Sequence, residues 1–328
     1  MPHDLFRDRM AFVGEVPWHG LGTAVSASTR ASEMCTAAGL SWKVEKQPAP
    51  GARLINAEKS EYDRYLILRD AVDDEPAPVA LGLVSAGYEV LQNVDAFAFF
   101  EPFVESRFAT FHTAGALGNG ERVWVLAKLS EQIHVTKDDV VDRYLLLSNS
   151  HDGAGAVSVR FTPIRVVCQN TLSFAKRNSS GVISIRHTRH LERRLADAQS
   201  AQLRQIIDKT FAEANTLFGR MALRIMSAED IDTLLEALFP RTPKQAREHA
   251  EPERWQRIKA ILEDDSVTPR ETKTSLWALY NAIVRDEDYR VSREASHEAR
   301  LNRVWFGSGQ DLKLKALAAS RAVLKKAA

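Results

Sequence analysis

Residues 144–161 read YLLLSNSHDGAGAVSVRF, two β-prone runs on either side of a polar, glycine-bearing break. YLLLSN and AVSVRF are strand-sized. Between them, Ser150-His151-Asp152-Gly153 has turn chemistry, because Asp-Gly tolerates the positive φ that hairpin turns need. The same grammar extends outward to further strands at Arg64–Arg69 (RYLILR), Val79–Ser85, Val123–Lys128 (VWVLAK) and Val182–Arg186. Their breaks are Asp73-Asp74-Glu75-Pro76 and Gly118-Asn119-Gly120. Two helices interrupt the strands, Ala31–Ala38 behind Ser28, and Val94–Ser106, whose length Pro102 limits.

After Thr188 the period changes. Leu191, Leu195, Ala198, Leu203, Ile206, Phe211, Ala214 and Phe218 space as one face of a long helix ending near Arg224. Ser227 with Asp230 forms a variant capping box for a helix that stops at Pro240. Pro243–Asp264 and Pro269–Asp286 follow as helices with a proline near each start, and Leu312–Leu324 closes the chain. The expected fold is therefore α+β, a sheet-rich N-terminal part with a few helices followed by a mostly helical C-terminal part. Residues 1–190 form the mixed domain with an antiparallel sheet, and residues 191–328 a helical region packed on it.

With 328 residues, 45% apolar and 27% charged, the chain has the make-up of a soluble protein with a sizeable core. No apolar run reaches the roughly 20 residues of a membrane span. MPHDLFRDRMAF carries charges where a signal peptide needs an apolar centre. The cytoplasm is the expected compartment, and Cys35 and Cys168 fit reduced thiols rather than a disulfide.

Charge is distributed unevenly. Between Arg160 and Arg194 stand eight basic residues (Arg160, Arg165, Lys176, Arg177, Arg186, Arg189, Arg193, Arg194) and one acid, Glu192, in a chain of net charge +1. Such a patch points to an anionic partner, nucleic acid first. In RFTPIRVVCQNTL (160–172), Arg160 and Arg165 flank Phe161, and Asn170 adds an uncharged hydrogen-bonding group. Arginine forks pair with phosphates and an aromatic ring stacks on an unpaired base. The plainer reading is a solvated charged face, with Arg165 and Asn170 in structural hydrogen bonds.

Other motifs carry two readings each. In PWHGLGT (17–23), Trp18 stacks on a base or clamps the N-terminal segment onto the sheet. FHTAGALGNG (111–120) is a glycine-rich turn before a strand; it lacks the Gly-Lys-Ser/Thr of a phosphate loop. Trp277, Tyr280 and Asn281 form a helical stripe that reads as core. His112, His151, Asp152 and His187 would make a metal-assisted hydrolase or nuclease if they converged, although no ligand spacing characteristic of a metal site is present.

The ordered series PWHGLGT, HTAGALGNGERVWVLAKL, YLLLSNSHDG, FTPIRVVCQNTL and IRHT resembles the phage/plasmid-like protein family, with a weaker extension through SLWALYNAI. That family is built on a domain of unknown function found in bacteriophages, prophages and plasmids. The resemblance implies a mobile-element setting and no established reaction, and it favours DNA as the partner by association.

The expected function is non-catalytic nucleic-acid binding, as in single-strand annealing during recombination or replication. Its candidate residues are Trp18, Arg160, Phe161, Arg165, Asn170, Lys176, Arg177, Arg186, His187 and Arg189. No catalytic residue, metal ligand, cofactor or membrane partner is assigned, and a homo-oligomer is compatible. The rivals are the metal-dependent enzyme and an adaptor that binds a host factor through its helices.

Overall fold

The computed structural model describes residues 5–14, 22–49, 64–72, 75–165, 170–171, 182–199, 201–289, 303 and 307–326. The hairpin read from residues 144–161 lies at the centre of an eight-stranded sheet. Its strands are β1 (Leu5–Val13), β2 (Thr23–Val25), β6 (Ala109–Leu117), β7 (Arg122–His134), β8 (Val140–Ser150), β9 (Val157–Arg165), β10 (Asn170–Thr171) and β11 (Val182–Ile185). They run in the order β10-β9-β8-β7-β6-β1-β2, and β11 also pairs with β9. Every pairing in it is antiparallel except β1 with β2. A second sheet joins β3 (Val44–Pro48), β4 (Arg64–Arg69) and β5 (Val79–Ser85).

Alternation of side chains gives the large sheet two chemically different faces. Val157, Val159 and Phe161 of β9 and Val123, Val125 and Ala127 of β7 face the helices and join the main core. The opposite phase carries a separate buried cluster of Met10, Phe12, Leu117, Trp124, Leu126, Tyr144 and Leu146. Next to that cluster on the same face lie Ser158 and Arg160. The fold is thus α+β as the sequence predicts, and one continuous core reaches from Phe6 through Val125 to Trp277.

The helices are α1 (Ala31–Ala37), α2 (Asn93–Ala98), α3 (Glu101–Glu105), α4 (Leu191–Ala198), α5 (Ala201–Leu223), α6 (Ala228–Leu238), α7 (Pro243–Arg247), α8 (Glu253–Glu263), α9 (Leu276–Tyr289) and α10 (Ser308–Lys326). Helix α9 is buried almost all round, as befits a central helix. Its Trp277 packs on Phe218 of α5 at 4.7 Å and donates from Nε1 to Asp139 Oδ2 in the β7–β8 turn at 2.8 Å. The Ser227–Asp230 capping box is formed as expected.

Several predicted elements divide. The expected 94–106 helix becomes α2 and α3, because Pro102 lacks an N–H and fits only the first turn of a new helix. Pro252 likewise restarts the 243–264 stretch as α7 and α8. The long helix after residue 190 breaks at Gln199, whose side chain donates to the carbonyls of Ala98 and Phe99 at the end of α2. The 269–286 helix opens instead as a single 3-10 turn, Arg270–Thr272, before α9. HTAGAL, read as part of a turn, is strand β6. The Asn119-Gly120 connection is longer than two residues, since Leu117 pairs with Arg122, and positive φ falls at Gly118 and Gly120.

The small sheet meets the large one at Gly82, where an added Cβ would lie 2.5 Å from Asp152 Cα. Backbone occupies that space, so Gly82→Ala is expected to cost about 1–3 kcal/mol by overpacking. Gly87→Ala, with nothing within 4 Å, is the matched control. Thermal denaturation reads both; equal midpoints for the two variants would refute the tight approach.

Candidate functional site

The ten sequence-predicted residues divide sharply in their surroundings. Trp18, Lys176 and Arg177 lie outside the described residues. Arg165 and Asn170 pair through their backbones as β9 and β10, and their side chains lie outside the described part. Phe161 is not a base-stacking platform: its ring is 5% exposed and meets Phe211 of α5 edge-on at 4.1 Å. It shares its phase with Val157 and Val159, so the strand period turns it into the core. His187 is likewise enclosed, stacked on Tyr88 at 4.5 Å with Nδ1 2.9 Å from Glu89 O. Burial pushes its pKa down, and both rings are enclosed rather than open at the surface.

Arg186 and Arg189 are exposed, as are His190 and Arg193 beside them. The turn that carries them is held from two sides. Glu89 accepts from the backbone N–H of His190 and Leu191 at 3.3 and 3.0 Å, capping the start of α4 with a carboxylate where the helix dipole favours one. Arg194 folds back, and its Nη2 donates to Arg186 O, Thr188 O and Thr188 Oγ1 at 2.7–2.9 Å. One arginine of the basic run therefore positions the others, a role that charge counting cannot separate from ligand contact.

Arg160 leads to a feature the sequence did not reveal. On the outer phase of the sheet a cleft of about 70 Å³ is lined by Arg122, Ser148, Ser150, Ser158, Arg160 and Ser184. Register makes its floor: Trp124 pairs with Ser148, Ser148 with Ser158, and Ser158 with Ser184. Three serines thus run as a row across β8, β9 and β11. Arg122 stands one step along that face, opposite Ser150, and Arg160 one step the other way, opposite Leu146. Ser148 Oγ and Ser158 Oγ share a hydrogen bond of 2.8 Å. Ser150 donates to Asp152 Oδ1 at 2.5 Å, and Arg160 Nη1 donates to Gln310 Oε1 of α10 at 2.7 Å. Arg186 follows Ser184 by two residues, just past the last pair, Ile185 with Val157. The cleft and the exposed basic turn are therefore neighbours.

The four residues of the enzyme reading converge only in part: His151, Asp152 and His187 lie close enough to act on one another's charge, whereas His112 stands apart. His151 is fully buried on the helix-facing side, with Nε2 2.9 Å from Asn93 Oδ1 and Trp42 edge-on at 5.7 Å. Burial pushes its pKa down to about 3. His112 sits on the other face at a β6 bulge, edge-on to Tyr144 at 5.0 Å. Lys128 Nζ and Gln132 Nε2 hold Asp142 beside it at 2.7 and 2.6 Å. Burial and then Lys128 push His112 down to about 4, against the pull of Asp142. The two imidazoles are separated by roughly 17 Å of strand. Among the described residues no three His, Cys, Asp or Glu side chains gather as a metal site. Cys35 is a free, buried thiol, raised to about 12 by burial. Among the described residues no helix is long and apolar enough to cross a membrane.

Fold and site together define a mixed α+β protein whose outer sheet face carries a hydroxyl-floored, arginine-flanked cleft beside an exposed basic turn. The chain belongs to the family defined by a domain of unknown function, DUF932, whose model matches residues 80–305. That span contains the cleft strands β7, β8, β9 and β11 and the basic turn, and ends before α10. No curated protein and no solved structure matches the chain.

Proposed function

We propose that this protein binds nucleic acid through backbone phosphates, in the DNA metabolism of a phage or plasmid, with single-strand annealing as the specific activity. The supporting observation is the exposed Arg186, Arg189 and Arg193, carried on a turn fixed by Arg194 and Glu89 and lying next to Arg122 and Arg160. A rigid basic surface of this kind meets phosphates independently of base sequence. The enclosure of Phe161 and His187 favours contact through backbone phosphates over base stacking by these two rings. The mobile-element setting rests on the resemblance of the motif series.

Arg186→Ala with Arg189→Ala is expected to weaken binding of a labelled single-stranded oligonucleotide by on the order of tenfold at low salt. The slope of log affinity against log salt should fall by about 1.4, since two phosphate contacts are lost. Phe161→Leu, which keeps the core filled, should leave affinity unchanged. Fluorescence anisotropy across a salt series decides it. Absence of binding, or an affinity indifferent to salt, would overturn the proposal.

A further inference from the structure

We infer that the serine-floored cleft is a subsite for one terminal phosphoryl group, a phosphomonoester at the end of a strand. The strand part of this assignment rests on the nucleic-acid reading; the phosphoryl part stands on the cleft alone. Size comes first. The cleft, about 70 Å³ and open to solvent on one side, suits a group the size of a single tetrahedral anion.

Donor chemistry comes second. The floor is the row Ser148, Ser158 and Ser184. Two hydroxyls that share one hydrogen bond, as Ser148 and Ser158 do, use only one of their two hydrogens between them. The other is left to point at an acceptor in the cleft. Ser150 plays a different part, because its hydrogen goes to Asp152, which Ala154 N–H also holds at 2.8 Å.

Charge comes third. Arg122 and Arg160 bring two positive charges to opposite ends of the floor, and guanidinium forks suit phosphate oxygens. A phosphomonoester carries about −1.5 to −2 at neutral pH, whereas an internal diester carries a single charge. The pair of arginines matches the monoester, with Asp152 at the Ser150 end disfavouring further anions. The position explains how a strand would leave the site. Ser184 is exposed at the rim and Arg186 follows it, so a chain anchored by its terminal phosphate continues onto the basic turn.

The test uses the full-length protein and oligonucleotides of one sequence ending in a 5′-phosphate, a 3′-phosphate or hydroxyls only. A terminal phosphate at one end is expected to tighten binding by on the order of tenfold, the scale of one charge-assisted contact. Ser158→Asp, which puts a carboxylate on the floor, should abolish that gain and leave the hydroxyl-ended affinity unchanged. Ser184→Asp, at the exposed rim of the same floor, gives the same readout if the first variant fails to fold. Arg186→Ala with Arg189→Ala should weaken all three oligonucleotides by one common factor.

Equal affinities for the three ends in the native protein would overturn the subsite and leave the nucleic-acid reading intact. Failure of every oligonucleotide, with inorganic phosphate raising the melting temperature of the native protein but not of Ser158→Asp, would overturn the nucleic-acid reading and support the subsite. If inorganic phosphate and all oligonucleotides fail to act, both are overturned.

Discussion

Lowering the pH from 7.5 to 5 is expected to cost the fold about 4 kcal/mol through His151 and His112, two imidazoles that the native state keeps neutral, with His187 adding to the loss in the same direction. His151 and His112 are held down to about 3 and about 4, chiefly by burial. In the unfolded chain each titrates near its ordinary value of about 6.5. Between those limits the unfolded state binds protons that the native state excludes, so stability rises with pH. The contribution is complete above about 6.5 and is lost as the pH falls toward the native values. At pH 5 each residue is about 1.5 units below its unfolded pKa, or about 2 kcal/mol.

The physical cause is visible at both sites. His151 Nε2 faces Asn93 Oδ1, and its Nδ1 is buried with no partner among the described residues, so a second proton would have no acceptor. His112 Nδ1 is in the same position, with the Lys128 ammonium adding repulsion. Urea denaturation at both pH values measures the loss, and His112→Gln or His151→Gln should each remove about 2 kcal/mol of it. Equal midpoints at pH 7.5 and pH 5 would show that these imidazoles accept protons in the native state.

Sequence pattern carried the fold further than it carried the site. The 144–161 hairpin, β4, β5 and the Ser227 cap were legible because each is a local decision, set by period and turn residues within a dozen positions. The break at Gln199 was not, since no glycine or proline marks it and the Gln199 bonds to Ala98 and Phe99 come from far along the chain. Strand β6 was hidden by composition: Ala114, Gly115 and Ala116 look like a turn, yet Gly115 leaves the room in which Trp124 lies over the strand, and the two alanines face the main core.

At the site, net charge located Arg186 and Arg189, and alternation contained the correction for Phe161, which falls in phase with Val157 and Val159 against Ser158 and Arg160. The cleft itself was illegible. Arg122, Ser148, Ser158 and Ser184 come from four strands, and only the register between those strands brings three serines into one row.

Lys313→Met is expected to destabilise the protein by about 3–5 kcal/mol, the cost of removing one partner of a buried ion pair. Helix α9 ends in Asp286, Glu287 and Asp288, three acids at the helix terminus whose dipole opposes them, and all three are buried. Cations answer each one. Arg254 and Arg257 reach Asp286 at 2.8 and 2.9 Å, Arg254 and Arg303 hold Glu287, and Lys313 Nζ lies 2.5 Å from Asp288 Oδ1. Lys313 is 0% exposed, and desolvation pushes its pKa down while Asp288 opposes the shift. Removing the lysine breaks the buried pair, whereas replacing both partners with apolar groups of similar volume removes both charges. The double variant Lys313→Met with Asp288→Leu should therefore recover most of the lost stability. A denaturant series on the two single variants and the double decides the point; additive losses, or singles within about 1 kcal/mol of the native protein, would mean that solvent already serves Asp288. The consequence reaches the cleft, because Lys313 anchors α10 one turn from Gln310, the residue that bonds Arg160. If the anchor positions that glutamine, the double variant that refolds without the ion pair should still lose part of the affinity gain from a terminal phosphate, which stability alone would not change.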